Sequence, residues 1–325
     1  MNKIEFGDCR ETMRCWAQQG VRVQTCVTSP PYFGLRSYLP DESPDKTLEI
    51  GLEETPEQYI ARMVDVFRCV RDVLADDGTL WLNIGDSYCS TAPGTRNAPQ
   101  TKGSKAEAVQ WANQRPPTPS GMKPKDLIGI PWMLAFALRA DGWFLRQEII
   151  WSKPNPMPES VRDRCTKAHE SIFLLAKSQR YYFDSDAMRE EAVKGSCGSS
   201  FNKGKTAEHQ LGRSSDAERV EDGKRNRRSV WTVATRPYKG AHFATFPAAL
   251  IEPCILAGSR PGDIVLDPFM GSGTTAAVAI QHGRQYLGCE LNNDYGPLQQ
   301  QRIAAATPPA VEPDPQQDLF TNEAA

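Results

Sequence analysis

The chain has 325 residues, of which 39% are hydrophobic, and a formal net charge of −2. That much apolar material suits one large α/β domain with a smaller inserted part and excludes a globally disordered chain. No run of 18 apolar residues is present to cross a membrane as a helix, the first residues lack the apolar stretch of a secretory leader, and placement in the cytoplasm of a bacterium or phage host is expected.

Residues 3–6 read as a short strand ending at Gly7-Asp8. Residues 23–27 are apolar and β-branched, the composition of a strand buried in a sheet. They run into Thr28-Ser29-Pro30-Pro31-Tyr32, where two prolines end a central strand and impose a rigid turn. Thr55-Pro56-Glu57-Gln58 has the N-cap Thr, first-turn Pro and third-position Gln of a helix start. Ile60, Met63, Val64, Phe67, Val70 and Leu74 keep helical spacing, and Asp77-Gly78 is read as the helix end. A strand over 79–84, a helix over 127–140, and strands over 144–151 and 171–176 follow, whereas 189–229 has no clear period and reads as loop-rich. Order returns with a helix over 248–257, a strand over 264–266, a loop over 267–273, a helix over 274–282 and a strand over 285–289. This alternation predicts a doubly wound α/β fold with a mainly parallel sheet covered on both faces. Beyond about 306 the composition is that of a disordered tail.

The nine cysteines contain no Cys-x-x-Cys pair, and their odd number argues against a disulfide framework; their spacing gives no zinc site, and no metal is expected. Two segments concentrate base among small polar residues, 93–125 and 203–229. Lys203, Lys205, Arg213, Lys224, Arg225, Arg227 and Arg228 are candidate phosphate contacts, since neutralising phosphates releases counterions; two merely solvated loops would carry the same composition.

The stretch from Asp263 to Thr275 carries most information. A short strand enters a loop with Gly271 and Gly273, then a helix whose free N–H groups can face a ligand. Glu290 follows at the end of the next strand, where a carboxylate accepts ribose hydroxyls. Spacing alone leaves NAD open, because Gly271-x-Gly273-x-x-Ala276 also satisfies the loose dinucleotide pattern. The flanking sequence is more specific: Asp267-Pro-Phe269-x-Gly271-Ser272-Gly273-Thr274-Thr275 resembles the cofactor loop of the S-adenosylmethionine-dependent DNA amino-methyltransferases. That resemblance implies that Asp267, Phe269, Gly271, Ser272, Gly273 and Thr274 hold the methionine part of S-adenosylmethionine and that Glu290 holds its ribose.

Ser29-Pro30-Pro31-Tyr32 resembles the catalytic tetrapeptide of the same family, in which the first position is Asp, Asn or Ser and the last is aromatic. An exocyclic amine is a poor nucleophile because its lone pair is delocalised into the ring. Ser29 and the Pro30 carbonyl can accept its two hydrogens and favour a localised lone pair, fixed dipoles being a large term in catalysis. Tyr32 offers a flat face to a base extruded from the duplex. Cytosine C5 methylation requires a cysteine nucleophile in a loop; Cys254 falls inside a predicted helix and is read as packing.

Further matches extend the resemblance over roughly residues 4–303. Gly7-Asp8-Cys9 looks like the segment whose Asp contacts the cofactor's adenine amine. Residues 74–80 look like the family's helix-to-strand junction. Residues 151–158, with Lys153 a candidate DNA contact, and His169-Glu170-x-Ile172-Phe173 look like the lining of the target-base pocket. His242 to Pro247 resembles the segment closing over the methionine end, with Thr245 and Phe246 at the contacting positions. The order, tetrapeptide before cofactor loop, is that of the β group, whose members often dimerise. The implied organisation is a class I methyltransferase, Rossmann-like, with an inserted recognition region. Its catalytic domain covers 1–90 and 127–188, a DNA-contacting insertion 91–126, a target-recognition region 189–235, the cofactor part 236–305, and a tail 306–325. Double-stranded DNA is the implied partner. Ser in the first tetrapeptide position favours cytosine N4, with adenine N6 the alternative and an RNA or protein amine a more distant one. Gln316-Gln317-Asp318-Leu319-Phe320 resembles the peptide that docks on the bacterial sliding clamp.

Overall fold

A computed structural model describes residues 1–35, 37–89, 121–191, 223–235 and 246–306. Its centre is an eight-stranded sheet. In chain order the strands are β1 (Lys3–Phe6), β2 (Val23–Thr28), β3 (Leu74–Ile84), β4 (Phe144–Ser152), β5 (His169–Ala176), β8 (Val230–Thr232), β9 (Ile264–Asp267) and β10 (Gln285–Glu290). The spatial order is β1-β10-β9-β2-β3-β5-β4-β8. The first five strands of that order are mutually parallel, β5 is antiparallel to both β3 and β4, and β8 runs parallel to β4. Two short strands, β6 (Arg189–Glu191) and β7 (Lys224–Asn226), pair separately and antiparallel.

Six helices are described: α1 (Cys9–Gln18), α2 (Pro56–Val73), α3 (Ile130–Ala140), α4 (Ala248–Gly258), α5 (Thr274–Gln281) and α6 (Gly296–Ala304). One face of the sheet is covered by α1, α2 and α3 over a core that includes Met13, Tyr59, Met63, Phe67, Leu134 and Leu80. The other face is covered by α4 and α5 over Trp81, Leu250, Ile251, Val265 and Val278. Both faces are thus buried, as a mainly parallel sheet requires. Connections from β2 lead one way along the sheet and those from β9 the other, so β2 and β9 flank the point where strand order reverses. Ligands of open α/β sheets bind outside the carboxyl ends of the strands at such a point. Among the described residues, no helix is long and apolar enough to cross a membrane.

The helix predicted to end at Asp77-Gly78 ends earlier. α2 stops at Val73, and Leu74 turns extended (φ −75°, ψ 140°) to pair with Val23. The register then jumps to Thr79 opposite Thr25, leaving 75–78 as a bulge. Gly78 serves that bulge and not a helix cap: a Cβ there would lie 2.5 Å from Leu74 Cγ and 2.9 Å from the Gln24 carbonyl oxygen. α1 was not anticipated, although Asp8 is an N-cap and Cys9, Met13 and Trp16 fall on one buried face. α3 begins at Ile130 and not 127, because Gly129 takes a left-handed conformation (φ 86°) just before it and the Asp86 carboxylate accepts the N–H groups of Gly129 and Ile130. The tail beyond 306 lies outside the described residues.

Candidate active site

The parallel register brings the carboxyl ends of β2, β9, β10 and β3 to one edge, and the sequence-predicted residues follow those ends. Ser29-Pro30-Pro31-Tyr32 leaves β2 next to the loop that leaves β9. Thr28 and Asp267, the last residues of those strands, touch: the Thr28 hydroxyl donates to Asp267 Oδ1 at 2.6 Å. The Thr275 hydroxyl donates to Asp267 Oδ2 at 2.7 Å, and the Phe269 N–H donates to Oδ1 at 3.0 Å. Asp267 is 1% exposed. Burial raises its carboxyl to about 6, against the pull of those three hydrogen bonds. Asp267 therefore clasps the end of β2 to the glycine loop that follows β9.

Gly271 (φ 51°) and Gly273 (φ 81°) both adopt left-handed backbone, and a Cβ at Gly271 would meet nothing closer than 3.8 Å, so the loop leaves open space at its turn. α5 starts at Thr274 with no side-chain cap on its first N–H groups. Ser272 and Thr274 hydroxyls accept from Arg302, and Phe269 packs partly buried against the core. Glu290 ends β10 and holds the loop from the other side, accepting from the N–H of Gly271 (2.7 Å) and of Asn292 (2.9 Å). Burial raises the Glu290 carboxyl to about 7 despite those bonds. A half-buried acceptor beside an open glycine turn fits a hydroxylated, positively charged ligand such as S-adenosylmethionine. Asp8 lies beyond the parallel neighbour β1 as the cap of α1, with its carboxylate bound by Arg10 through Nε, Nη2 and the backbone N–H. Burial acts against ionisation there, but the Arg10 bonds outweigh it and hold the Asp8 carboxyl below its ordinary value. Phe246 packs against the second core, while Thr245 lies outside the described residues.

On the target side, Tyr59 donates to the Pro31 carbonyl at 2.8 Å and fixes the turn, and Pro30 is buried. The Tyr32 ring lies against Gly85, where a Cβ would come within 2.5 Å of its Cε2. The Tyr32 hydroxyl donates to Glu170 Oε2 at 2.7 Å. Asn83, 4% exposed at the end of β3, points its Nδ2 at Ser29 Oγ (3.4 Å), Tyr32 Oη (3.0 Å) and Glu170 Oε2 (3.1 Å). Its Oδ1 is buried with no hydrogen-bond partner among the described residues. Lys153 bonds Glu170 Oε1 and lies 4.2 Å from the centre of the Trp151 ring. Asn83 was missed by sequence reasoning, and Thr28 and Thr275, though part of the two motifs, were given no role of their own. Asn83 left a signal, an amide in the otherwise apolar run of β3, where Asn is disfavoured.

Of the basic candidates, Arg225 pairs with Glu190 at 3.0 Å and Arg227 stacks 4.5 Å over Trp231; Lys224 and Arg228 lie on the same segment with their side chains exposed. Lys203, Lys205 and Arg213 lie outside the described residues. Cys254 is 1% exposed within α4 and burial pushes its thiol up, which agrees with its reading as packing.

The pattern of the family described as DNA methylase matches residues 23–301. The chain is 50% identical over 289 residues to the Type II methyltransferase M.Cfr9I of Citrobacter freundii, covering 89% of this chain and 83% of the relative. It is 48% identical over 304 residues to M.SmaI of Serratia marcescens, covering 93% and 90%. Among solved structures, the cytosine-N4-specific PvuII DNA methyltransferase aligns with a TM-score of 0.59 at 16% identity over 93% of this chain and 86% of that one. The M1.HpyAVI complex with S-adenosylmethionine aligns at 0.53 and 17% identity, over 93% and 100%. These matches, with the clasped glycine loop and the Ser29 turn at one switch point, establish that the chain belongs to the DNA methylase family, as a DNA amino-methyltransferase that uses S-adenosylmethionine.

Proposed function

We propose that this enzyme methylates N4 of cytosine within a specific duplex sequence, that Ser29, the Pro30 carbonyl and Tyr32 receive the extruded base, and that Glu290 and the loop from Asp267 to Thr274 hold the methyl donor. The Thr28–Asp267 contact at 2.6 Å carries the reading, because it sets the turn that would meet the amine against the loop that would hold the donor. The donor supplies an electrophilic methyl on a sulfonium; the protein supplies alignment and acceptors. Ser29 offers a hydroxyl where a carboxylate could stand, and the PvuII DNA methyltransferase, whose fold is similar, is cytosine-N4-specific. Adenine N6 is the second reading, since its amine presents the same two hydrogens. DNA contact falls to Lys153, Lys203, Lys205, Arg213, Lys224, Arg225, Arg227 and Arg228; Pro31 stiffens the turn. Asp8, Thr245 and Phe246 complete the donor site. A homodimer, docking of Gln316–Phe320 on a sliding clamp, a cytoplasmic setting and modification beside a restriction nuclease belong to the same proposal, the last in line with the Type II relatives.

The test is mass spectrometry of nucleosides from unmethylated DNA incubated with the enzyme and S-adenosylmethionine. N4-methylcytosine is expected. N6-methyladenine in its place overturns the base assignment and keeps the site. For the tail, equal retention on immobilised clamp of the full chain and a version ending at Ala306 overturns the docking proposal.

A further inference from the structure

We infer that Glu170 is the terminal acceptor of a proton relay that drains the target amine through Ser29 and Tyr32. The inference rests on the proposed role of Ser29 and Tyr32. Methylation of an amine leaves one hydrogen too many on nitrogen, and a serine hydroxyl cannot keep a proton. The tetrapeptide brings no carboxylate of its own, so the surplus proton needs a path to one.

The pocket supplies it. Asn83 Nδ2 gathers three oxygens around one amide, Ser29 Oγ, Tyr32 Oη and Glu170 Oε2. Burial and the Glu170 carboxylate push the Tyr32 phenol well up, the neighbouring Ser29 hydroxyl pulling less strongly the other way, so the phenol keeps its proton and donates it to Glu170 at 2.7 Å. The charged and titratable groups facing Glu170 are Tyr32 from the turn after β2, Lys153 from the loop after β4, and Lys167 ahead of β5, which itself donates to the Asp86 carbonyl. Glu170 and Lys153 side chains are 15% and 17% exposed, enough to exchange a proton with water. Asn83 contributes order: its buried, unpartnered Oδ1 is a cost of about 1–3 kcal/mol that the fold carries to aim Nδ2 at the relay.

The step balances. The nitrogen lone pair forms the N–C bond and the C–S pair stays on sulfur. The amine proton passes to Ser29 Oγ, the Ser29 proton to Tyr32 Oη, and the Tyr32 proton to Glu170 Oε2. A positive sulfonium and a negative carboxylate disappear together, leaving a neutral methylated amine, a neutral thioether and a protonated Glu170, which returns its proton to solvent before the next turnover.

The experiment is single-turnover methylation of unmethylated genomic DNA by the full chain, with S-adenosylmethionine binding measured in parallel. Glu170→Gln keeps the shape and the bond from Tyr32 but cannot take a proton. Its rate is expected to fall on the order of 100-fold, with donor and DNA binding unchanged and the loss of rate at acid pH abolished. Tyr32→Phe, which keeps the ring, should show the same loss, and the double variant no more. A Glu170→Gln rate within about twofold of the parent, or a slower rate that keeps the parent's pH profile, overturns the relay. Ser29→Ala separates the two ideas: if it stays active, the reading of the tetrapeptide itself has failed; if it is inactive while Glu170→Gln is not, only the relay has.

Discussion

The two sides of the switch point are built differently. The proposed donor side comes from one continuous stretch, β9, its glycine loop, α5 and β10, with Glu290 only 19 residues from the Gly271 N–H it holds. The proposed target side is assembled from Ser29 and Tyr32 after β2, Asn83 in β3, Lys153 after β4 and Glu170 in β5, with 138 residues between Tyr32 and Glu170. A local unit can be placed by a short motif and tuned by burial. A dispersed one depends on strand order, and its chemistry exists only after the sheet has closed.

Ser29→Ala is the strongest test of this division. It should lower the methylation rate 100- to 1,000-fold, as loss of one aimed acceptor does elsewhere, and leave S-adenosylmethionine binding intact in equilibrium dialysis. A parallel loss of binding would erase the separation of the two sides. Acidity gives the next effect. Folding raises Glu290 to about 7 from an ordinary 4.5 and Asp267 to about 6 from 3.8. Both groups hold protons more tightly folded than unfolded, so the protein without donor should lose stability as pH rises from about 4 to about 7. The Glu290 share is about 3 kcal/mol. Thermal melts should show a midpoint falling over that range, and a smaller fall with S-adenosylmethionine present, whose positive charge favours the ionised carboxylates. Thr28→Val removes the donor that reaches the buried Asp267 from β2 and should cost about 1–3 kcal/mol in denaturant unfolding; a smaller cost would mean that the clasp does not join the two sides. Arg228→Ala should do least, lowering the slope of log affinity against log salt for DNA by about 1.

The same division decides what could be read from the chain. The doubly wound order, the glycine loop and Glu290 were legible because each is local: a β-branched run, a turn that needs positive φ, a carboxylate at the next strand end. α1 was overlooked although Asp8, Cys9, Met13 and Trp16 spell it out, because a ten-residue amphipathic stretch between two strands competes with a loop reading. The end of α2 was misplaced since Asp-Gly is a sound helix stop, and only the pairing of Leu74 with Val23 reveals the bulge. Lys153 was read from its segment alone, and nothing in the sequence tells that β5 lays Glu170 beside it. Asn83 was visible as an oddity in an apolar strand, yet its three oxygen neighbours come from elements that only the fold gathers.

Gly85 sets one more condition on this pocket. With backbone alone beneath it, the Tyr32 ring sits at contact distance, and any side chain at 85 would occupy the ring's own volume. Positions 32 and 85 are therefore a single steric unit: a methyl at 85 must displace the ring, and a smaller ring at 32 would open a gap above the glycine. The place of the Tyr32 ring is thus set by the backbone of Gly85, so a base docking on it as proposed need not spend rotational freedom on the tyrosine.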